Sequence, residues 1–368
     1  MHIRVATFNV ENMFNRPKAM NFSKWSEGQP ILNDYSKLNN LFNKETYTDK
    51  DKMNILKLLD KYGLLTRRPK NPYLELIKVR GRLIKRPKDK PPEIVANGRN
   101  DWVGWIDLKK ETINDQAIKN TARVIAEVNP DILVLVEVEN RLVLQQFYDQ
   151  VLAPMLESYG LQKYGYNMVI DGNDRRGIDV GILSRAPIVN MRSHIADSNN
   201  NSLIFSRDCP EYFITLNGDS ELVVLANHFS SKGSDYQGDR RRVQSQQVKD
   251  IYEQLREKYD HVIVAGDLND HPEGGSLDPL LKKTDLKDAM SLPLYEGYPG
   301  TYSHANKKEK LDYLLFSPQL TSGVTAVNVE RRGFYAPTKW PSFENINKKT
   351  KQRNQASDHH CLWADIEI

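Results

Sequence analysis

Two carboxylates and an amide follow one of the most apolar runs of the chain. In residues 261–270, His261 is followed by two valines and an isoleucine, which are typical of a buried strand, and the stretch continues after Gly266 as Asp267-Leu268-Asn269-Asp270. A strand end holds its side chains rigidly, so Asp267 and Asn269 could present oxygen acceptors to a metal ion or to a reacting water. A turn rich in Asn and Asp would give the same pattern, and this motif alone leaves both interpretations open.

Other predicted strands end in the same way. Groups that could do chemistry stand at Asn9, Glu137, His228, Asp267 with Asn269, and the run Ser357-Asp358-His359. A further acid, Asp312, lies inside an otherwise apolar strand, Leu311 to Phe316. Burying a carboxylate without a partner is expensive, so we expect Asp312 to have one. Each position alone is ordinary, but so many strand ends of this kind predict one functional site.

Alternating strands and helices would position these groups. Strands are predicted at residues 2–10, 131–138, 166–170, 178–183, 211–216, 222–228, 261–267, 311–316 and 361–368. Helices are predicted over about 118–128, 141–157 and 240–258, from apolar residues at helical spacing. Asn217-Gly218 suggests a tight hairpin between two of the strands.

Residues 15–115 interrupt this alternation. Their first part, to about residue 33, has the composition of turns and loops, and a helix is predicted from about 47 to 65 with Gly63 as its stop. Between Lys61 and Lys90 stand eleven basic residues and two acidic ones. Residues 73–79 and 82–84 could form a hairpin around Gly81, and 102–108 is a further strand candidate. We interpret 15–115 as a helix-plus-hairpin module inserted into one domain of residues 1–368.

The dispersed motifs resemble those of the endonuclease/exonuclease/phosphatase superfamily, whose fold is that of deoxyribonuclease I. The matching pieces occur in the family's order and cover residues 2–14 and 117–368. They are Thr7-Phe8-Asn9-Val10, Val136-Glu137-Val138, Asn227-His228-Phe229, Gly266-Asp267-Leu268-Asn269, Leu311-Asp312-Tyr313 and Ser357-Asp358-His359. They look most like bacterial nuclease-type members. The resemblance implies an α/β four-layer sandwich of two packed mixed β-sheets flanked by helices, with the site at one rim.

The resemblance also implies roles for individual residues. Glu137 and Asn9 would hold Mg²⁺ or Mn²⁺, with Glu11 and Asp358 as further candidate ligands, because Mg²⁺ prefers hard oxygen donors. His359 would act with Asp312, Asp267 would orient or deprotonate the attacking water, Asn269 would bind a phosphoryl oxygen, and His228 would stabilise the transition state or protonate the leaving group. Which histidine is acid and which is base stays open. Substrate-binding candidates are Arg207, Asn227 and Arg175.

The predicted function is that of a metal-dependent phosphodiesterase, a nuclease that hydrolyses DNA, with RNA left open. The basic tract and its aromatic neighbours suit nucleic acid. Two alternatives are a phosphoesterase of the same superfamily for a small-molecule or lipid-headgroup phosphate ester, and a non-catalytic nucleic-acid-binding protein. Loss of Glu137, Asp267, Asn269, Asp312 or His359 would favour the last, and all five are present.

Composition excludes several other classes. The two cysteines lack any paired spacing, so they indicate neither a disulfide scaffold nor a zinc ribbon. The net charge of +4 is mild, and the hydrophobic content of 39% does not indicate a membrane protein. With no signal peptide in the chain as given, we expect a cytoplasmic protein, or a secreted one if a signal was removed. The remaining histidines, His2, His194, His261, His271 and His304, are expected on the surface or in turns. His360 and Cys361 are not expected to bind a metal, because neighbours in a strand point to opposite faces.

Overall fold

A computed structural model describes residues 1–11, 17–20, 25–110, 114–174, 177–199, 202–216 and 220–368. The chain divides into two units: a larger one, Met1–Phe14 with Ile113–Ile368, and a smaller one, Asn15–Thr112. That residues 15–115 are a module inserted into a single domain stays a prediction. The expected turn at Asn217-Gly218 and the candidate Arg175 lie outside the described residues.

The bounds of the elements are as follows. The strands are β1 (His2–Asn9), β2 (Leu74–Gly81), β3 (Ile84–Lys85), β4 (Glu93–Ile94), β5 (Trp102–Leu108), β6 (Ile132–Val138), β7 (Tyr166–Ile170), β8 (Asp179–Ser184), β9 (Ile188–Arg192), β10 (Ser198–Asn199), β11 (Ser202–Leu203), β12 (Glu211–Thr215), β13 (Glu221–His228), β14 (His261–Asp267), β15 (Lys287–Asp288), β16 (Asp312–Phe316), β17 (Val324–Glu330) and β18 (Cys361–Glu367). The α-helices are α1 (Trp25–Phe42), α2 (Asp49–Lys61), α3 (Asp115–Val128), α4 (Arg141–Phe147), α5 (Ala153–Ser158), α6 (Asp239–Arg256), α7 (Asp278–Lys283) and α8 (Pro318–Ser322). A π-helical turn, Tyr148–Leu152, joins α4 to α5, and short 3₁₀ turns lie at Lys18–Met20, Ala289–Ser291, Lys307–Glu309 and Lys351–Asn354.

Two mixed sheets form the larger unit, and each has six strands within the described residues. The first runs in the order β17-β18-β1-β6-β8-β7 and the second in the order β15-β16-β14-β13-β12-β9. In the second, β13 and β14 are parallel while β16 runs antiparallel to β14. Parallel and antiparallel pairs in one sheet are expected where helical crossovers and direct returns alternate along the chain.

Alternation along the strands explains how the layers stack. In β13, Leu222, Val224 and Ala226 point into a core that the first sheet shares through β1, β6 and β8. Val223 and Leu225 point the other way, into a core with α6. The outer face of the first sheet packs against α3 and α4 in the same manner. The order helix, sheet, sheet, helix is the predicted four-layer α/β sandwich, and this fold class is confirmed.

The helices of the larger unit follow the apolar spacing seen in the sequence. Asn114 caps α3 by accepting a hydrogen bond from the Gln116 amide, and Asn129 ends it in the left-handed conformation with φ of 53°. In α6, Val248, Ile251 and Leu255 are buried on one side, as predicted. Helix α3 leads into β6, which carries Glu137, and helix α6 leads into β14, which ends at Asp267.

The smaller unit confirms one predicted helix and the strand candidate at 102–108, and it corrects the predicted loop and hairpin. Helix α2 begins at a capping box between Thr48 and Asp51, and Gly63 follows its end with φ of 64°. The loop expected up to residue 33 is wrong from Trp25 onward, where α1 begins and continues through Pro30. Apolar residues at helical spacing hold α1 in a core with α2 and thereby offset the cost of an internal proline; they are Ile31, Leu32, Leu38, Leu41 and Phe42.

The predicted hairpin around Gly81 is also wrong. Strand β2 pairs antiparallel with β5, whereas β3 pairs with β4. Strand β5 alternates buried and less buried residues over its whole length, so it offers β2 a long partner with a buried face. Residues 82–84 are too few to supply one.

Within the described residues, no helix is long and apolar enough to cross a membrane.

Candidate active site

Strand register brings three of the predicted residues side by side in the second sheet. His228 at the end of β13 pairs with Asp267 at the end of β14, and Asp267 pairs with Asp312 at the start of β16. In the first sheet, Asn9 ends β1 opposite Val136, so Glu137 lies one residue further along β6. Both sets of strand ends therefore contribute to one rim, which agrees with the sequence expectation.

Asp312 has the partner that its burial requires. Its Oδ2 lies 2.8 Å from Nδ1 of His359, and the carboxylate is inaccessible to solvent. The Asp312 amide donates to Oγ1 of Thr301 at 2.9 Å, which fixes the start of β16. His359 in turn is held at its own backbone, where its amide donates to Oγ of Ser357 at 3.0 Å. The predicted contact between Asp312 and His359 is present.

The surroundings of His359 favour its charged form. Burial alone would lower its pKa, but the charge and hydrogen bond of Asp312, together with the charge of Asp267, raise the pKa well above 6.5. A tilted ring contact contributes to its orientation, since the Tyr302 and His359 centroids lie 4.8 Å apart with an angle of 58° between the ring planes.

Asp267 lies between two imidazole rings. Its Oδ2 is 3.8 Å from Nε2 of His359 and 3.8 Å from Nε2 of His228. The side chain is buried, and burial raises its pKa to about 7, with the charges of Asp312 and Glu137 adding to the effect. His359 and the Asn269 amide oppose this rise. A carboxyl group in this setting is suited to accept a proton near neutral pH.

Amide groups orient the Asp267 carboxylate. Asn9 donates from Nδ2 to Oδ2 of Asp267 at 3.1 Å. Asn269 stands in the left-handed conformation with φ of 54°, and its backbone amide donates to Oδ1 of Asp267 at 2.8 Å. The Asn269 side chain donates both to Asp267, at 3.2 Å, and to the Phe229 carbonyl, at 3.1 Å. In this structure Asn269 therefore holds Asp267, and its predicted contact with a phosphoryl oxygen stays a prediction.

The residues expected to hold a metal ion offer hard oxygen atoms only. Glu137 lies with Oε1 3.9 Å from Nε2 of His228. Oδ1 of Asn9 accepts the Glu11 amide at 3.0 Å, and Oε2 of Glu11 accepts the Asp358 amide at 3.0 Å. The pKa of the Tyr302 phenol is raised by the charge of Asp358, by burial, and by the charges of Glu11, Glu309 and Glu137, in that order. This donor set fits Mg²⁺ or Mn²⁺.

A second group of possible ligand atoms belongs to Asp267, Asp312 and His359. Among the described residues, Asp267, Asp312 and His359 have ligand atoms that all lie within 4.8 Å of one another. His359 already uses Nδ1 on Asp312, so this triad is better suited to hold and move a proton than to bind an ion.

The substrate-binding candidates are not all brought to the site. The Arg207 guanidinium is buried, pairs with Asp174 at 3.1 Å and reaches the Phe229 carbonyl at 3.5 Å. It thus shares that carbonyl with Asn269. Asn227 points away, because it neighbours His228 in β13 and donates to the Leu225 carbonyl at 3.1 Å. Arg175 is outside the described residues.

Sequence reasoning missed Thr301 and Tyr302, which orient Asp312 and His359. Both follow a Pro-Gly turn in a stretch without apolar periodicity, and nothing in that pattern indicates a role. His194 was expected at the surface or in a turn, and it begins a turn in which its carbonyl accepts a hydrogen bond from the Asp197 amide at 3.1 Å. Its ring is 13% exposed, and its two nitrogens lie 2.9 Å from Asp197 and 2.8 Å from Glu211.

This chain is similar to known proteins of one family. Residues 109–359, more than half of the chain, match the profile of the Endonuclease/Exonuclease/phosphatase family. Similar solved structures include truncated TDP2 of Caenorhabditis elegans, with 20% identity, a TM-score of 0.47 and coverage of 68% of this chain and 90% of that one. The human Nocturnin catalytic domain has 17% identity, a TM-score of 0.48 and coverage of 70% and 88%. The mannosyl-6-phosphatase Bt3783 of Bacteroides thetaiotaomicron has 16% identity, a TM-score of 0.48 and coverage of 69% and 91%. No curated protein sequence matches. The resemblance seen in the motifs is confirmed, and the chain belongs to the endonuclease/exonuclease/phosphatase family.

Proposed function

We propose that this protein is a metal-dependent phosphodiesterase whose substrate is nucleic acid, and DNA in particular. The placement of the Asp267 carboxylate between His228 and His359, with His359 bonded to Asp312, supports the hydrolytic chemistry. The eleven basic residues between Lys61 and Lys90 support nucleic acid as the substrate. Hydrolysis of a phosphodiester needs an acceptor for the water proton, a donor for the leaving oxygen and compensation for charge on the phosphoryl oxygens. The four side chains can supply the first two.

Each side chain has a role that follows from its surroundings. Asp267, with its raised pKa and its fixed orientation, takes a proton from the attacking water. Asp312 holds His359 in its charged form, so that its Nε2–H can stabilise charge on the phosphoryl group. His228 lies on the other side of Asp267 and can donate a proton to the leaving oxygen. The assignment of the two histidines can be exchanged without changing the proton balance.

A divalent cation fits the oxygen donors of Glu137, Asn9, Glu11 and Asp358. When bound there, it would neutralise negative charge on the phosphoryl oxygens. Glu137 has a positive φ of 66°, an uncommon conformation for a residue with a side chain, and such strain is concentrated at functional sites.

The first test is hydrolysis with and without metal. We expect supercoiled plasmid DNA to be nicked in MgCl₂ or MnCl₂, activity to be lost in excess EDTA, and activity to return when metal is restored. Bis-p-nitrophenyl phosphate and p-nitrophenyl phosphate, assayed in parallel, separate diester from monoester hydrolysis, and an RNA substrate separates DNA from RNA. An Asp267→Asn variant purified in the same way controls for contaminating nuclease.

Two outcomes would contradict the proposal. Full activity in excess EDTA would exclude the metal assignment. Rapid hydrolysis of the monoester with DNA left intact would instead favour a small-molecule phosphoesterase of the same family.

A further inference from the structure

The two units of the chain differ strongly in net charge, although the net charge of the whole chain is small. Residues 15–112 contain 22 Lys and Arg against 12 Asp and Glu, while the whole chain has a net charge of only +4. The larger unit is therefore net acidic and the smaller one strongly basic. A charge distribution of this kind sets what each unit attracts, independently of the fold.

Most of the excess comes from the tract between Lys61 and Lys90. Two of its cations are paired in the structure, Lys61 with Asp34 at 2.6 Å and Lys85 with Glu93 at 3.3 Å. Arg67, Arg68 and Arg82 are exposed, and in the described part of the chain none of them forms an ion pair with a carboxylate. The Nε of Arg82 donates to the Ile84 carbonyl at 3.4 Å, so its terminal nitrogens and the exposed guanidinium groups of Arg67 and Arg68 are the ones that face an external anion.

Arg86 shows that some of these cations are crowded together. Its Nε donates to the Leu65 carbonyl, which ties the two ends of the tract to each other. Its pKa is lowered by partial burial and by the like charges of Arg67 and Arg82. Like charges close together destabilise the fold unless an anion compensates them, so this cluster has the character of an anion site.

An exposed aromatic ring lies in the same unit. Trp105 in β5 pairs with Ile77 in β2, and its side chain is 44% exposed. Lys78, Val79 and Arg80 follow at the end of β2, where Val79 is 62% exposed. A two-stranded ribbon with basic residues and an exposed indole ring combines two kinds of group with which proteins bind nucleic acids. The cations bind phosphates, and the flat ring stacks on bases.

We propose that Arg67, Arg68, Arg82 and Arg86 form a DNA-binding surface of the smaller unit, which contacts backbone phosphates, with Trp105 as an accessory stacking residue. Guanidinium groups suit this role because they bind phosphate oxygens in pairs. The choice of DNA as the polyanion rests on the proposed nuclease function. The binding itself does not require hydrolysis and can be measured without it.

The test is a salt titration of DNA binding in EDTA, which suppresses hydrolysis. Binding of a short labelled duplex is followed by fluorescence anisotropy for the wild type and for an Arg67→Gln/Arg68→Gln/Arg82→Gln variant. Each lost phosphate contact reduces the slope of log K against log salt by about 0.9, so the triple variant should lose up to about 2.7. At low salt its affinity should fall by at least about tenfold.

A matched control removes the same charge elsewhere in the smaller unit. Lys37, Lys50 and Lys57 are exposed residues of α1 and α2, and their replacement by Gln should leave the slope nearly unchanged. Trp105→Ala should weaken binding to single-stranded DNA without changing the slope, because stacking releases no counterions.

The outcomes separate this inference from the proposed function. Equal slopes for the wild type and the arginine variant, or equal losses in the arginine and lysine variants, would overturn it, even if plasmid DNA is cleaved. Binding to anionic vesicles with none to DNA would also overturn it. Loss of binding in the arginine variant alone would support it, even if no nuclease activity is found.

Discussion

The Asp267 carboxyl group is buried and can still exchange a proton near neutral pH. Burial raises its pKa, whereas the Asn269 amide and His359 favour the ionised form. Each amide that points at the carboxylate also limits its rotation, and the nearest imidazole nitrogens lie on either side at 3.8 Å. These opposing effects keep the group able to gain and lose a proton near neutral pH.

An isosteric substitution of Asp312 tests whether its charge on His359 is needed for turnover. In an Asp312→Asn variant the volume is kept but the charge that orients and stabilises the His359 imidazolium is lost. We expect turnover to fall by about 10²–10⁴ while the thermal unfolding temperature changes little. Steady-state hydrolysis of a diester, together with circular dichroism melting, measures both.

Asp285→Asn is a useful control, because Asp285 accepts from the Tyr252 hydroxyl in the same unit but lies outside the candidate site. It should retain turnover. A folded Asp312→Asn protein with the wild-type rate would remove the Asp312–His359 pair from the mechanism.

At the scale of elements, strand register accounts for most of what the sequence could predict. The ends of β13, β14 and β16 were identified from apolar runs, and their pairing places His228, Asp267 and Asp312 in one row. Gly266 permits the close approach of β13 and β14, since a Cβ atom there would lie 1.9 Å from the Asn227 carbonyl oxygen. Local pattern and global pairing agree at this point of the chain.

The predictions failed where tertiary packing overrides local preference. Gly28 and Pro30 indicated a loop, yet α1 forms because its apolar face is buried against α2. Asn227 was a candidate from the family resemblance; its side chain donates to the Leu225 carbonyl at 3.1 Å, and a role in substrate binding stays a prediction. Thr301 and Tyr302 act through contacts with residues that are close only after folding, so composition could not reveal them.

His194 gives a stability prediction for the elements around it. Its two ring nitrogens face Asp197 and Glu211, and only the charged imidazolium can donate to both. Asp208 accepts the His194 amide, Arg192 lies 3.4 Å from Glu211, and Gln247 of α6 donates to Asp197. Burial lowers the pKa of His194, but Glu211 and Asp197 outweigh this and raise the pKa above 6.5.

Because the folded-state pKa is the higher one, this network stabilises the fold fully below pH 6.5 and less as the pH rises through the folded-state value. His194→Gln should lower the free energy of unfolding by about 2 kcal/mol at acidic pH and by less at alkaline pH. Chemical denaturation at several pH values measures the difference. Parallel curves for His194→Gln and the wild type would exclude the network as a source of pH dependence.

At the scale of the whole molecule, the two units carry net charges of opposite sign. The acidic larger unit therefore suits a cation, and the basic smaller unit suits an anion. Oxygen donors lie in the larger unit, at Asn9, Glu11, Glu137 and Asp358. In the smaller unit, Arg67, Arg68 and Arg82 are exposed and, among the described residues, form no ion pair with a carboxylate. A cation and a polyanion should therefore bind to different parts of the chain, although both would serve one reaction. Under this proposal, the smaller unit would bind the substrate backbone and the larger unit would carry out the chemistry.

Hydrogen exchange followed by mass spectrometry can test this separation peptide by peptide. A ligand at about 100 times its Kd stabilises the state that binds it by about 2.7 kcal/mol, which slows exchange through unfolding by about a hundredfold. With Mg²⁺ we expect slower exchange in peptides that contain Asn9, Glu137 and Asp358, and no change in peptides from 64–86. With duplex DNA in EDTA we expect slower exchange in 64–86, and the Arg67→Gln/Arg68→Gln/Arg82→Gln variant should lose only this second effect. Protection of 64–86 by Mg²⁺, or DNA protection confined to the larger unit in both proteins, would contradict the separation, because either result would place the two ligands on the same unit.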